Sequence, residues 1–300
     1  MKGRAILAGL ALGFSSLSLA IDCEAPATSR ESFAPVPRMA NTTVGLALGS
    51  GSAHGFAHIG VLEELEARGF DARVVTGTSA GAVVGSLYAS GLSGTQIETL
   101  MHDENWQRAR QWVISRQALF SNEPLRARLS EIFASRPIES WPRRFGAVAT
   151  NVDDGTRRLI TTGDAALAVQ ASTAMPVVFR PVRVGSERLA DGALVEPNPV
   201  QAARDLGADF VLAVDVAYRP YEESPNGMSD LAFQSMHILV NALGARQLQG
   251  ADAVVRLDVH GIYSKCGADG TVAAGREAVR RAWPEILGAM MSRNERRAAR

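Results

Sequence analysis

The sequence is poor in cysteine and histidine, carries no surplus of charge of either sign, and has no apolar run of comfortable membrane-spanning length. Two cysteines, Cys23 and Cys266, occur in 300 residues. They allow at most one bridge within the chain and exclude a disulfide-built scaffold. Neither has a C-x-x-C partner, which removes the common zinc and redox spacings. Basic and acidic residues number 31 each, so the electrostatic footing for a nucleic-acid partner is missing. The basic end RNERRAAR, residues 293–300, reads as a solvated helix tail. Among five histidines, His54 and His58 fall at helical i, i+4 spacing. No glutamate follows His54 and no third ligand is evident, so no metal is expected. There is no internal repeat. With 46% hydrophobic residues, the chain has material for one globular domain with an ample core.

Residues 1–20 differ from everything after them. Lys2 and Arg4 precede an apolar run from Ala5 to Phe14, and Ser18-Leu19-Ala20 offers small residues at a cleavage position. This pattern predicts a secretory signal peptide and a periplasmic or secreted protein. Asp22 stands before Cys23 where lipidation requires a small residue. Residues 21–42, with Pro26, Pro35 and Pro37, read as a linker, and residues 43–300 as the folded domain.

The chain is organised around VVTGTSAGAVVGSLYASG, residues 74–91. A short β-branched strand turns through Gly77-Thr78-Ser79-Ala80-Gly81 directly into an apolar helix stopped by Gly91. A serine on so sharp a turn needs small residues two positions away on each side, and Gly77 and Gly81 supply them. The positive end of the following helix then faces Ser79, where negative charge develops when a carbonyl is attacked. A membrane helix with a Gly77/Gly81/Gly85 ladder is disfavoured by Thr76, Thr78, Ser79, Ser86 and Ser90, which make the stretch too polar, and by the strand preference of VVT. The pentapeptide by itself also fits an ordinary strand-to-helix turn.

The remaining pattern alternates strands and helices. TVGLAL, residues 43–48, predicts a buried strand leading to the loop Gly49-Ser50-Gly51-Ser52-Ala53, and His54 to Arg68 a helix capped by Gly69. The loop has two readings. It resembles a dinucleotide-binding turn with Asp71 as a ribose ligand, although the third glycine falls on His54. Its amides equally form a nest for an oxyanion. Further on, Ser93 and Gln96 predict a capping box, and Asn122 caps a helix. Trp106 to Phe120 reads as an aromatic helix that covers a core or serves as a lid touching lipid. FGAVATNV and TRRLITT flank Asp153-Asp154-Gly155 as a hairpin. A small-residue helix ending at Pro176, two short strands, and then Asp191-Gly192-Ala193 follow. A helix over 200–206, the apolar strand FVLAVDV at 210–216, a helix over 231–248, a strand over 253–259 and a helix over 275–291 complete an α/β pattern with a parallel sheet.

Three separated motifs, GLALGSGSAHGFAHIGVLEEL, GTSAG and Asp191-Gly192-Ala193, together resemble the patatin-like phospholipase family, from about Val44 to Val216. The phrases RRFGAVATNVDDG, ASTAMP and LADGALVEPNPV are also similar to bacterial members. The resemblance implies a three-layer α/β fold with a central, mainly parallel sheet flanked by helices. It implies hydrolysis of lipid acyl esters, of phospholipid or lysophospholipid, with peripheral membrane contact and no cofactor. Ser79 would be the nucleophile, Asp191 the carboxylate that deprotonates it, and Gly49, Ser50, Gly51 and Ser52 the oxyanion loop. The family's usual loop arginine is replaced by His54. That departure keeps open an alternative, an inactive lipid-binding module of the same fold. The chemistry also admits a histidine base, from His237 or His260 with Asp191 or Asp215, whereas His102 sits in no motif.

Overall fold

The computed structural model describes residues 36, 37, 39, 41–104, 106, 122–217, 227–257 and 262–298. The leader 1–20, most of the linker including Cys23, the 107–121 part of the aromatic stretch and His260 lie outside the described residues.

Among the described residues the chain folds around one eight-stranded sheet. Its strands are β1 (Val44–Leu48), β2 (Val74–Thr78), β3 (Arg144–Asn151), β4 (Arg157–Ile160), β5 (Val182–Val184), β6 (Glu187–Asp191), β7 (Phe210–Asp215) and β8 (Ala253–Arg256). Five strands run parallel in the order β3-β2-β1-β7-β8. Every residue of VGLAL, VVTGT and FVLAVD is buried, as expected for strands covered on both faces. The short strands β4, β5 and β6 pair antiparallel at the β3 end.

Among the described residues the helices are α1 (Ala57–Ala67), α2 (Ala80–Ala89), α3 (Gly94–His102), α4 (Glu123–Phe133), α5 (Ala165–Ser172), α6 (Val200–Asp205), α7 (Met228–Gln247) and α8 (Ile262–Ala298). Successive strand residues point to opposite faces, so Leu46 and Leu48 join Ile59, Leu62, Leu87, Val279 and Ile286 in the larger core. Ala47, Val211 and Ala213 instead meet Val200 and Ala203 of α6 on the other face. The predicted layers are therefore present.

Local chemistry sets most boundaries. The Ser93/Gln96 capping box opens α3. The hairpin forms as expected, with Gly155 at φ 73°, Asp154 accepting from Thr156 and Asp153 paired with Arg188. Asn122 differs: it precedes α4 but makes no side-chain cap. Its buried amide donates at 2.8 Å to the Gln170 carbonyl and to Thr173 Oγ1, tying α4 to the end of α5. The residues from His54 divide into a 3₁₀ turn, Ser52–Phe56, and then α1. The last helix starts earlier than its sequence suggests, breaking at Gly267 (φ 66°) before continuing through Pro284. Its first turns carry Gly267 and Gly270, which disguise them as loop.

Candidate active site

Strand register brings the two key residues together. β4 lies along one edge of β3, and β2 along the other. β2 ends at Thr78, opposite Val148, and the next position of the same edge, Ala149, pairs with Asp191 of β6. The residue after Thr78 is Ser79. β6 thus takes up the edge where β2 turns away, and the two side chains meet at that junction.

The turn itself is tight. Ser79 holds φ 55° and ψ −120°, a conformation costly for a residue with a side chain. A Cβ on Gly77 would lie 2.4 Å from the Gly81 carbonyl, and one on Gly81 would lie 2.1 Å from that of Leu48. Neither position has room for a larger residue. The Ser79 hydroxyl donates to Asp191 Oδ2 at 2.7 Å, and both residues are buried. Asp191 Oδ1 accepts from the Ala193 amide at 2.9 Å. Burial lifts the Asp191 carboxyl to about 6, against the opposing pull of the Ala193 amide and the Ser79 hydroxyl.

Three residues at the end of α5 hold both partners from behind. The Ser79 amide donates to Ser172 Oγ at 2.9 Å, and the Asp191 amide to the Ala174 carbonyl at 2.9 Å. Thr173, between them, is the residue that Asn122 grips. Thr150 Oγ1 adds a bond to the Asp191 carbonyl at 2.8 Å. Sequence reading missed Ser172, Ala174 and Asn122, because a serine or asparagine among small residues carries no signal of a partner far along the chain.

The first glycine loop lies alongside. The resemblance implies an oxyanion hole made of Gly49, Ser50, Gly51 and Ser52, but the Gly49 amide continues the sheet to the Val214 carbonyl at 3.0 Å and the Ser50 amide donates to the Pro197 carbonyl at 2.8 Å. Those two amides are engaged, so they cannot receive an oxyanion. The amides of Gly51 and Ser52 make no hydrogen bond among the described residues. Both residues line the same cleft as Ser79 and Asp191. The first amides of α2, at Ala80 and Gly81, are likewise open. With two amides tied internally, the loop is a poor cradle for a pyrophosphate, and Asp71 pairs with Arg73 at 3.3 Å.

Two histidines, His54 and His58, sit at this loop. His58 is fully buried, and its Nε2 lies 2.8 Å from the Gly49 carbonyl. Burial lowers it to about 4, although the Gly49 carbonyl pulls the other way. The ring is therefore neutral at pH 7, carries its proton on Nε2 and pins the loop. His54 is buried in the 3₁₀ turn, its amide donating to the Gly51 carbonyl at 2.9 Å. His102 is exposed and faces Asp269 at 3.6 Å. His237, on α7, lines the cleft, and burial lowers its pKa. Asp215 lies at the end of β7 beside Arg256.

A family model described as patatin-like phospholipase matches residues 46–204, spanning the glycine loop, Ser79 and Asp191. The chain belongs to the patatin-like phospholipase family. An uncharacterized NTE family protein of Mycobacterium tuberculosis is 33% identical over 198 residues, covering 64% of this chain and 52% of the relative. A lysophospholipase NTE1 of Debaryomyces hansenii is 28% identical over 187 residues, covering 59% of this chain and 12% of that protein. The chain thus spans about half the length of its mycobacterial relative and a small part of the yeast one. Among solved structures, VipD from Legionella pneumophila aligns with 80% of this chain and 67% of its own, at a TM-score of 0.46 and 16% identity.

The desolvated carboxylate of this patatin-like site has a thermodynamic signature. A folded pKa of about 6 against an ordinary 3.8 means that the fold prefers Asp191 protonated. That preference is fully present below the ordinary value and is lost as pH rises through the folded one. Asp191→Asn, always neutral, should therefore gain stability relative to the wild type from about pH 4 to about pH 6, by roughly 1–3 kcal/mol, and hold that advantage above. Urea unfolding across this range measures it; a difference that does not change with pH would contradict the assigned burial.

Proposed function

We propose that this patatin-like protein is a serine esterase that cleaves acyl esters of phospholipid or lysophospholipid through Ser79 and Asp191. The carrying observation is the 2.7 Å bond from the Ser79 hydroxyl to Asp191 Oδ2. Asp191 takes the hydroxyl proton as Ser79 Oγ bonds to the ester carbonyl carbon. The carbonyl oxygen becomes an anion, and the open amides of Gly51 and Ser52, with the start of α2, are the donors that stabilise it. Collapse breaks the bond to the alcohol, which leaves with the proton from Asp191 and leaves an acyl-Ser79 ester. Water, deprotonated by Asp191, then releases the fatty acid and restores the serine. An ordinary carboxylate is a weak base, and the raised pKa of Asp191 brings it nearer the operating range.

A fluorophosphonate probe should label Ser79 in the wild type and nothing in Ser79→Ala. Asp191→Asn should lose nearly as much turnover of a chromogenic ester as Ser79→Ala, and the double variant little more, because members of one catalytic unit are non-additive. In the wild type, kcat/KM should rise with pH through about 6. Activity lost in His237→Ala as in Ser79→Ala, with Asp191→Asn still active, would move the base to histidine. A folded protein with no labelling would favour the inactive lipid-binding module.

The open loop amides generate a separate expectation. A Cβ on Gly51 would lie 2.4 Å from the Val216 carbonyl, so bulk there must displace the loop. Gly51→Val should lower kcat by about a hundredfold or more, with a smaller change in KM. Intact turnover in that variant would show that another group holds the oxyanion.

We infer further, from Lys2, Arg4, the apolar run and Ser18-Leu19-Ala20, that the protein is exported and cleaved after Ala20. Peripheral contact with a membrane then supplies the lipid. N-terminal sequencing of the mature protein should begin at or near Ile21. Retention of Met1 in the envelope fraction would point to an uncleaved anchor.

A further inference from the structure

Beside the narrow Ser79 cleft, of about 30 Å³, lies a larger cavity of about 180 Å³. The two share Ser50, Ala217, Val240 and Asn241 as walls, so they are adjoining spaces beneath α7. A void holds a water once it offers about 10–15 Å³, so this one is a multi-water space that a polar ligand could fill.

Its lining is polar and charged. Asp215 closes β7 and Arg256 closes β8, and the two are register partners in the parallel pair. Together with Ser79 after β2 and Ser50 after β1, they stand at the carboxyl ends of neighbouring parallel strands. Ligands of open α/β sheets collect at that edge. The Asp215 side chain is only 7% exposed, whereas Arg256 is 56% exposed. Arg256 Nε donates to Asp215 Oδ2 at 3.3 Å. Its two terminal nitrogens make no hydrogen bond among the described residues. Asp215 therefore anchors the guanidinium by its inner nitrogen and leaves the planar fork open, the geometry that binds phosphate through two parallel N–H bonds. Asn198, buried at the cavity wall, adds a side-chain amide.

The geometry points to a head-group subsite: the cavity receives the phosphodiester of the lipid substrate on Arg256 while the ester carbonyl lies at Ser79. This rests on the esterase reading above. It makes a phosphodiester-bearing lipid a better substrate than a neutral ester, through a residue that takes no part in bond breaking. The shared chemistry is a phosphate oxygen, whether in a head group or in free phosphate.

The test compares lysophosphatidylcholine with 4-nitrophenyl butyrate in wild type, Arg256→Gln and Arg256→Lys. Arg256→Gln should lower the ratio of kcat/KM for the two substrates at least about tenfold, and Arg256→Lys, which keeps the charge and loses the fork, by less. Calorimetry with glycerophosphocholine and with inorganic phosphate supplies a readout independent of turnover. The subsite predicts that glycerophosphocholine binds the wild type more tightly than phosphate does and binds Arg256→Gln at least about tenfold more weakly. An unchanged substrate ratio, or glycerophosphocholine binding that ignores Arg256 or merely equals that of phosphate, overturns it. Loss of ester turnover in the wild type would refute the esterase reading and leave the binding comparison standing.

Discussion

The bond between the Ser79 hydroxyl and the Asp191 carboxylate joins residues 112 positions apart, and much of the structure answers to the demands of keeping it. A hydrogen bond of this kind requires its heavy atoms within a few tenths of an ångström of their places. Two flexible loops could not hold it. Here each residue instead ends a strand, and both strands share one edge of β3. The end of α5 then fixes both backbones, through Ser172 and Ala174.

That arrangement carries costs that the rest of the fold offsets. Ser79 occupies a strained backbone conformation, and Asp191 is held in a dry environment that opposes its charge. Neither would persist in an isolated peptide. The surrounding contacts over-determine them. Thr76 and Thr78 donate from β2 to the carbonyls of Pro199 and Glu196, and the Ser50 amide donates to Pro197. The segment after Asp191 thus closes over β2 and the glycine loop at once. His58 fastens the loop from the other side. A neutral imidazole suits that role, since it supplies a donor to the Gly49 carbonyl without bringing a buried charge.

The same parallel sheet that aligns Ser79 also lines up Asp215 and Arg256 at its carboxyl edge, so the proposed nucleophile and the proposed phosphate subsite share one scaffold. The glycine loop borders both. Its inner amides complete the sheet and the contact to Pro197, and its outer residues, Gly51 and Ser52, border the Ser79 cleft. Ser50 lies between the cleft and the cavity and lines each.

Much of this was readable along the chain because its determinants are local. The apolar runs VGLAL and FVLAVD specify buried strands, the glycines around Ser79 specify a tight turn, and Ser93-x-x-Gln96 specifies a helix start. Those signals, with the three motifs in order, were enough to anticipate the α/β class and to single out Ser79 and Asp191. They could not tell which loop amides were open, because Val214 and Pro197 reach Gly49 and Ser50 from far downstream. Nor could they assign Ser172 and Asn122, whose partners lie far along the chain rather than beside them. The sequence by itself determined the elements and the residue types available for chemistry, since periodicity and turn residues act over a few positions. Only the tertiary structure decided which of those groups are engaged, buried or left open. Hydrogen-bond satisfaction and desolvation depend on neighbours that packing, not sequence spacing, brings together.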